Sequence, residues 1–187
     1  INIYNKNKYP IIVATSTNRH DNIIASYCKK NNIQFFRGDL HNVFNRTIQC
    51  IKKYSLEGFV RVCADRPFFD VKLMNRMINK YKSNNFDIIT NQLDRTYPKG
   101  LACEVSSAKI FQDMEQNTLN SKEKEHIFNY FYKKKKKYRI FNFKLNTLKN
   151  KKNINYSIND SKDLLKISKI LKKYNKIEYI DILKLEK

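Results

Sequence analysis

Short β-branched runs alternate along this chain with stretches whose apolar positions recur every three or four residues. Tyr9-Pro10-Ile11-Ile12-Val13-Ala14-Thr15-Ser16 is the first such run, and Thr17-Asn18-Arg19-His20-Asp21 follows as a turn rich in helix-capping residues. The run predicts a buried parallel strand that ends in a loop. Ile23, Ile24, Tyr27 and Cys28 recur at helical spacing, and Ile33-Gln34-Phe35-Phe36 reads as a second strand before the turn Arg37-Gly38-Asp39. Val43, Phe44, Thr47, Ile48 and Ile51 mark the next helix. Phe59 to Cys63 reads as a third strand, Val71 to Tyr81 as a third helix, and Phe86 to Thr90 as a fourth strand. This β-α-β-α-β-α-β order predicts an α/β layered domain with a mainly parallel sheet.

The rhythm changes after Asn91. Leu101 to Ser106 predicts another strand, and helices are predicted over Ala108–Met114 and Lys122–Tyr132, the second running into five consecutive lysines at 133–137. That lysine run reads most simply as a solvated helix end or turn. Tyr138 to Phe143 alternates like an edge or antiparallel strand, and Ile154 to Ile158 like another. Asp160-Ser161-Lys162-Asp163 opens a helix carrying Leu164, Leu165, Ile167, Ile170 and Leu171, and the tail with Ile177, Tyr179, Ile180, Ile182 and Leu183 is expected to dock.

In open parallel sheets, ligands bind beyond the carboxyl ends of the strands. Three loops fall there: Thr15–Asp21, Arg37–His41 and Ala64–Asp70. In the last, Asp65 stands where a strand ends, inside Arg61-Val62-Cys63-Ala64-Asp65-Arg66-Pro67-Phe68-Phe69-Asp70. Two readings of Asp65 stand side by side, a metal-holding carboxylate in a nucleotide site and a residue that caps the turn before the helix.

Length and composition narrow the field. The 187 residues suit one domain spanning 1–187, and 41% hydrophobic with 13% aromatic content indicates a folded chain. No apolar run approaches the roughly 18 residues of a membrane span. The chain begins with Ile and shows no signal-peptide pattern, which reads as a cut start. Cys28, Cys50, Cys63 and Cys103 are scattered without C-x-x-C spacing, as are His20, His41 and His126, so no zinc site is legible locally. Buried free thiols in a reducing compartment, the cytoplasm, are the expectation. The net charge of +21 admits nucleic acid as a partner, but Lys outnumbers Arg by 30 to 8, whereas readers of bases and phosphates favour the Arg fork. No nucleic-acid partner is expected. A basic surface also attracts an anionic small substrate.

Six segments in order and spacing resemble the bacterial sugar cytidylyltransferases, closest to the branch named after spore-coat polysaccharide biosynthesis protein F. They are IIVATSTNRHDNII, FFRGDLHNVFNR, FVRVCADRPFFD, TNQLDRTYPKGLACEVSS, SKEKEHIFNYF and INYSINDSKDLLKI. Kdo and acylneuraminate cytidylyltransferases are more distant. The resemblance covers about residues 9 to 173. It implies a three-layer nucleotide-diphospho-sugar transferase fold, mainly parallel with antiparallel sugar-side strands. The implied reaction converts CTP and a sugar, often an acidic one, to a CMP-sugar and pyrophosphate. Charge grows on the phosphate oxygens, which calls for Mg²⁺ and basic groups.

The resemblance also implies residue roles. Asp65 matches the family's strand-end metal ligand, with Pro67 in the same pattern and Ala64 in place of the usual Gly. Thr15, Arg37 and Arg46 are implied at the nucleotide, Arg46 also being readable as a helix-surface residue and the Arg37 turn as one needing Gly38. Lys99, in Tyr97-Pro98-Lys99-Gly100, and the pair Glu125-His126 are implied on the sugar side, each also readable as an ordinary surface feature. The family's second metal-binding Asp aligns with Asn159, and Asp160 is the neighbouring candidate, or else the N-cap of the last helix. A homodimer is the expected assembly. The family's opening strand and basic glycine loop, which grips the CTP phosphates, are not found before Ile11. A degenerate homologue that binds a nucleotide or partner without turnover is therefore the alternative to an enzyme.

Overall fold

A computed structural model describes residues 9–115, 118–145 and 154–173. The contacts divide the chain into two compact units. Of the described residues, one unit comprises those within 9–59 and 107–138, the other those within 60–106 and 139–173.

The first unit is built on β1 (Ile12–Ser16) and β2 (Gln34–Gly38), which pair in parallel with Ser16 opposite Gly38 at their carboxyl ends. A 3-10 turn (Arg19–Asp21) leads into α1 (Asn22–Lys30). The apolar stripe of α1 differs from the sequence reading. Ala25 and Cys28 are buried, whereas Ile23 is 75% exposed and Ile24 and Tyr27 also face water. The small side chains are the ones that let α1 lie close to its neighbours. Helix α2 (Val43–Lys53) starts where the Asn42 side chain accepts from Asn45 N, and it buries Phe44, Ile48 and Ile51 on one face. The Tyr54 hydroxyl donates to the Phe35 carbonyl and ties the end of α2 to β2.

Helix α4 (Lys109–Gln112), shorter than the predicted Ala108–Met114, delivers Phe111 to the core, where its ring centroid lies 5.1 Å from those of Phe44 and Phe59. Phe128 and Phe131 complete this aromatic cluster. The helix predicted over Lys122–Tyr132 is two helices, α5 (Ser121–Glu125) and α6 (Asn129–Lys133), broken at His126. The break turns the consecutive residues Ile127 and Phe128 inward together. Asn120 and Glu123 form a capping box at the start of α5, and buried Glu123 also accepts from Lys133 Nζ at 2.7 Å. Residues 134–137 of the lysine run are exposed, as expected for a solvated turn.

The four-stranded sheet has the order β3-β5-β4-β6, with β3 (Gly58–Arg61), β4 (Ile88–Thr90), β5 (Glu104–Ser107) and β6 (Ile140–Asn142). In the second unit β4 runs antiparallel to β5 and parallel to β6, so the fold is α/β with both strand senses. β6 stands at the end of the order, as an edge strand should, but parallel to its neighbour. β5 is shorter than the predicted Leu101–Ser106 because buried Asn91 takes the backbone there, donating to Leu101 O at 2.8 Å and accepting from Cys103 N at 3.0 Å. The run from Ile154 contributes one bridge, Asn155 with Lys99, rather than a strand.

Helix α3 (Val71–Lys82) begins at Asp70, whose carboxylate accepts from Lys72 N and Leu73 N, and buries Leu73, Met74, Met77 and Ile78. Helix α7 (Ser161–Lys173) buries Ile167 but leaves Leu164, Leu165 and Leu171 exposed, a narrower buried face than the sequence suggests. The apolar tail from Ile177 lies outside the described residues. Cys28, Cys50 and Cys103 are buried free thiols, as expected. Among the described residues, no helix is long and apolar enough to cross a membrane.

Candidate functional site

In the first unit, three predicted residues come together at the carboxyl end of β1 and β2. Thr15 is nearly buried, and its hydroxyl donates to Asp21 Oδ2 at 3.0 Å. The Ser16 hydroxyl and amide donate to the same oxygen. These bonds, from Ser16 first and then Thr15, hold the Asp21 carboxyl below its ordinary range. Arg37 Nε donates to Ser16 O at 2.8 Å and Nη2 to Asn18 O at 3.0 Å, so this guanidinium fixes the loop leaving β1. Arg46 Nη1 donates to Asp39 O at 2.9 Å, and the Asp39 side chain accepts from the amides of His41 and Asn42. Asp21 is the organising carboxylate that the sequence reading passed over. Its signal is the spacing of two hydroxyl residues five and six positions ahead of an acid.

In the second unit, the chain leaves β3 through a turn at Ala64-Asp65 and reaches α3 at Asp70. Asp70 performs the capping that sequence alone left open for Asp65. Asp65 Oδ1 is buried and accepts no hydrogen bond. The Asp65 carbonyl accepts from Ile158 N at 2.9 Å, which brings the turn to the residue next to Asn159. Phe68 packs edge-on to Tyr156, with ring centroids 5.7 Å apart. Asn159 N and Nδ2 both donate to Asp163 Oδ2 at 3.0 Å. Asp160 Oδ1 accepts from Asp163 N at 2.8 Å and so caps α7. The Asn159 amide bonds hold the Asp163 carboxyl below its ordinary range.

The loop Tyr97–Gly100 joins the same neighbourhood. Lys99 N donates to Ile154 O at 2.9 Å, and Lys99 O accepts from Tyr156 N at 3.0 Å. Gly100 has φ of 90°, and a β-carbon there would stand 2.6 Å from the Tyr156 carbonyl carbon. Lys99, Asp65 and the Asn159-Asp160 pair are thus linked by main-chain bonds around residues 154–158. Glu125 and His126 belong to the first unit, exposed where α5 ends.

Among the described residues, no group of three or more His, Cys, Asp and Glu stands ready for a metal ion. What the Asp65 turn offers is a buried carboxylate oxygen without a donor, with Asn159 and Asp160 following Ile158. Such a sparse, hard-oxygen set fits a Mg²⁺-type ion that takes one or two carboxylates and leaves other positions to phosphates and water. It does not fit a structural metal cage.

A family model described as cytidylyltransferase matches residues 2–185. The spore coat polysaccharide biosynthesis protein SpsF of Bacillus subtilis (strain 168) is 27% identical over 130 residues, covering 68% of this chain and 52% of that protein. The uncharacterized protein MJ1063 of Methanocaldococcus jannaschii is 28% identical over 123 residues, covering 66% of this chain and 49% of that one. The chain therefore spans about half the length of these curated relatives. A cytidylyltransferase structure from Leptospira borgpetersenii serovar Hardjo-bovis superposes with a TM-score of 0.85 at 21% identity, covering 93% of this chain and 74% of that one. A CMP:2-keto-3-deoxy-manno-octonic acid synthetase structure complexed with CTP gives 0.61 at 9% identity, covering 88% and 81%. Both establish likeness of fold.

Proposed function

The chain belongs to the cytidylyltransferase family, and on that premise we propose that it transfers CMP from CTP to a sugar, releasing pyrophosphate. The sugar is an acidic one, and the CMP-sugar feeds synthesis of a surface polysaccharide in the cytoplasm. The observation that carries the reading is Asp65 Oδ1, a buried carboxylate oxygen without a hydrogen-bond donor in a strand-end turn. Asp65, with Asn159 or Asp160, would hold Mg²⁺. When bound, the ion supplies compensation for charge growing on the phosphate oxygens.

The chain's own groups divide the remaining work. Thr15, Arg37 and Arg46, which the first unit brings together, are assigned to the nucleotide by their match to the family's pattern. Arg37 would act through the loop it fixes, because its guanidinium is engaged by two main-chain oxygens. Lys99 is exposed beside the main-chain bridge and carries the charge that favours an acidic sugar. Glu125 and His126 are assigned to the sugar only by their match to the family's pattern. Pyrophosphate release with CTP, Mg²⁺ and a panel of acidic sugars tests the reading. Silence across the panel, from full-length protein, sinks it.

A second reading, nucleotide binding without turnover, is favoured by one observation. Asn159 brings no charge, and the Asp160 carboxylate is engaged as a helix cap. CTP binding without pyrophosphate release for any sugar would select it.

A further inference from the structure

Arg66 stands beside the Asp65 carboxylate without hydrogen-bonding to it. Its Nε lies 3.8 Å from Asp65 Oδ1, an ion-pair separation longer than the roughly 2.7–3.2 Å of an N–H···O bond. The guanidinium is anchored elsewhere, since Nη1 donates to the Ala102 carbonyl at 2.7 Å. With its side chain 14% exposed, Arg66 is a nearly buried positive charge whose place is set by backbone ahead of β5. It compensates the charge of Asp65 Oδ1 but leaves that oxygen without a donor.

A cation that takes this oxygen must enter the field of the guanidinium. Like charges in a partly buried setting oppose each other more strongly than they do in water. A triphosphate alters that balance, because it brings several negative charges and supplies the oxygens with which Mg²⁺-type ions fill their coordination. We infer that Arg66 couples the two ligands: it opposes a divalent cation at Asp65 in the nucleotide-free chain, and CTP removes that opposition. The inference rests on the reading of Asp65 as a cation ligand. By linkage, the factor by which CTP strengthens cation binding is the factor by which the cation strengthens CTP binding, and Arg66 sets much of it. Arg66 is thus a positioning and charge-setting residue, acting through Asp65.

The test is Mn²⁺ binding to the full chain, read by the loss of the free-ion electron paramagnetic resonance signal, with and without CTP. Wild-type protein should bind Mn²⁺ weakly alone and more tightly with CTP. Arg66→Gln should strengthen nucleotide-free binding about tenfold, or ~1.4 kcal/mol, and change binding with CTP little. Arg66→Lys, which keeps the charge, should behave like wild type. Arg66→Met keeps an apolar stem and carries the same comparison if the glutamine variant fails to fold. Nucleotide-free affinity that is unchanged or weaker in the neutral variants overturns the inference. If Asp65→Asn binds Mn²⁺ with CTP as wild type does, the cation-ligand reading itself fails, a result separable from the Arg66 comparison.

Discussion

The stem of Arg46 lies across Gly38, so that a β-carbon at position 38 would stand 2.8 Å from Arg46 Cγ and 3.2 Å from its Cβ. The glycine is required by this close approach, and the approach places the guanidinium on the Asp39 carbonyl. Arg37 and Gly38 close β2 instead of forming the turn expected from the sequence, and Gly38 and Arg46 are one device.

Gly38→Ala is expected to push the Arg46 stem aside and strain Phe36, whose ring edge would be 3.0 Å away. The cost should be about 1–3 kcal/mol, read as a lower midpoint in denaturant. Arg46→Ala in the same background should recover part of the loss by making room. Absence of any recovery would show that the clash lies elsewhere.

Gly100→Ala should be worse. The substitution combines a φ of 90° with main-chain atoms of Tyr156 and Ser157 within 3 Å, and backbone cannot swing away. A loss of about 3 kcal/mol is expected, together with faster amide exchange at Tyr156 and Ile158. Protection at those amides equal to wild type would contradict the link from Gly100 to the Asp65 turn.

Asp21 gives a pH signature. Hydrogen bonds from Ser16 and Thr15 lower its pKa in the fold from the ordinary value of 3.8. A lowered folded pKa means the stabilisation is present above the unfolded value and is lost as pH falls through the folded one. Melting temperature should therefore drop as the pH goes below about 4. Asp39 and Asp163, also lowered, contribute in the same window. Asp21→Asn should reduce the steepness of that drop; an unchanged profile would remove Asp21 from the account.

Asp65 and Asp160 separate by matched substitutions. Asp65→Asn loses no hydrogen bond to Oδ1 but does lose the long 3.8 Å ion pair with Arg66, so it should cost at most about 1 kcal/mol in stability, and it should slow pyrophosphate release about 10²–10³-fold. Asp160→Ala should cost about 1 kcal/mol through the lost cap, whereas Asp160→Asn should cost almost nothing because Asn caps as well. A slowed reaction in Asp160→Asn at unchanged stability would assign Asp160 to the cation. An unchanged rate would leave it a cap.

The alternation of strands and helices up to Thr90 was legible because buried β-branched runs and three-four spacing are local properties. Asp65 was legible for the same reason, as an acid at the end of an apolar run. Which face of a helix a neighbour covers is not local. Ile23 and Tyr27 look like core residues in α1, yet the buried pair is Ala25 and Cys28. The direction of β6 depends on where the chain re-enters the sheet, and the shortening of β5 depends on one amide, Asn91, reaching two backbone groups. The Asp21 anchor was missed because hydroxyls have many possible partners, and sequence does not select among them.

The bond from Ile158 N to Asp65 O joins points far apart in the chain. Such a non-local contact must meet its loop-closure cost before it is rewarded, so it is expected to form after the local helices. During synthesis, the Asp65 turn can take its final form only after residues 154–158 have left the ribosome. Until then the chain can hold much of its secondary structure while its proposed cation site is unmade. The site's assembly is therefore a report on completed folding, and a slow final phase seen at residue 65 would be its kinetic trace.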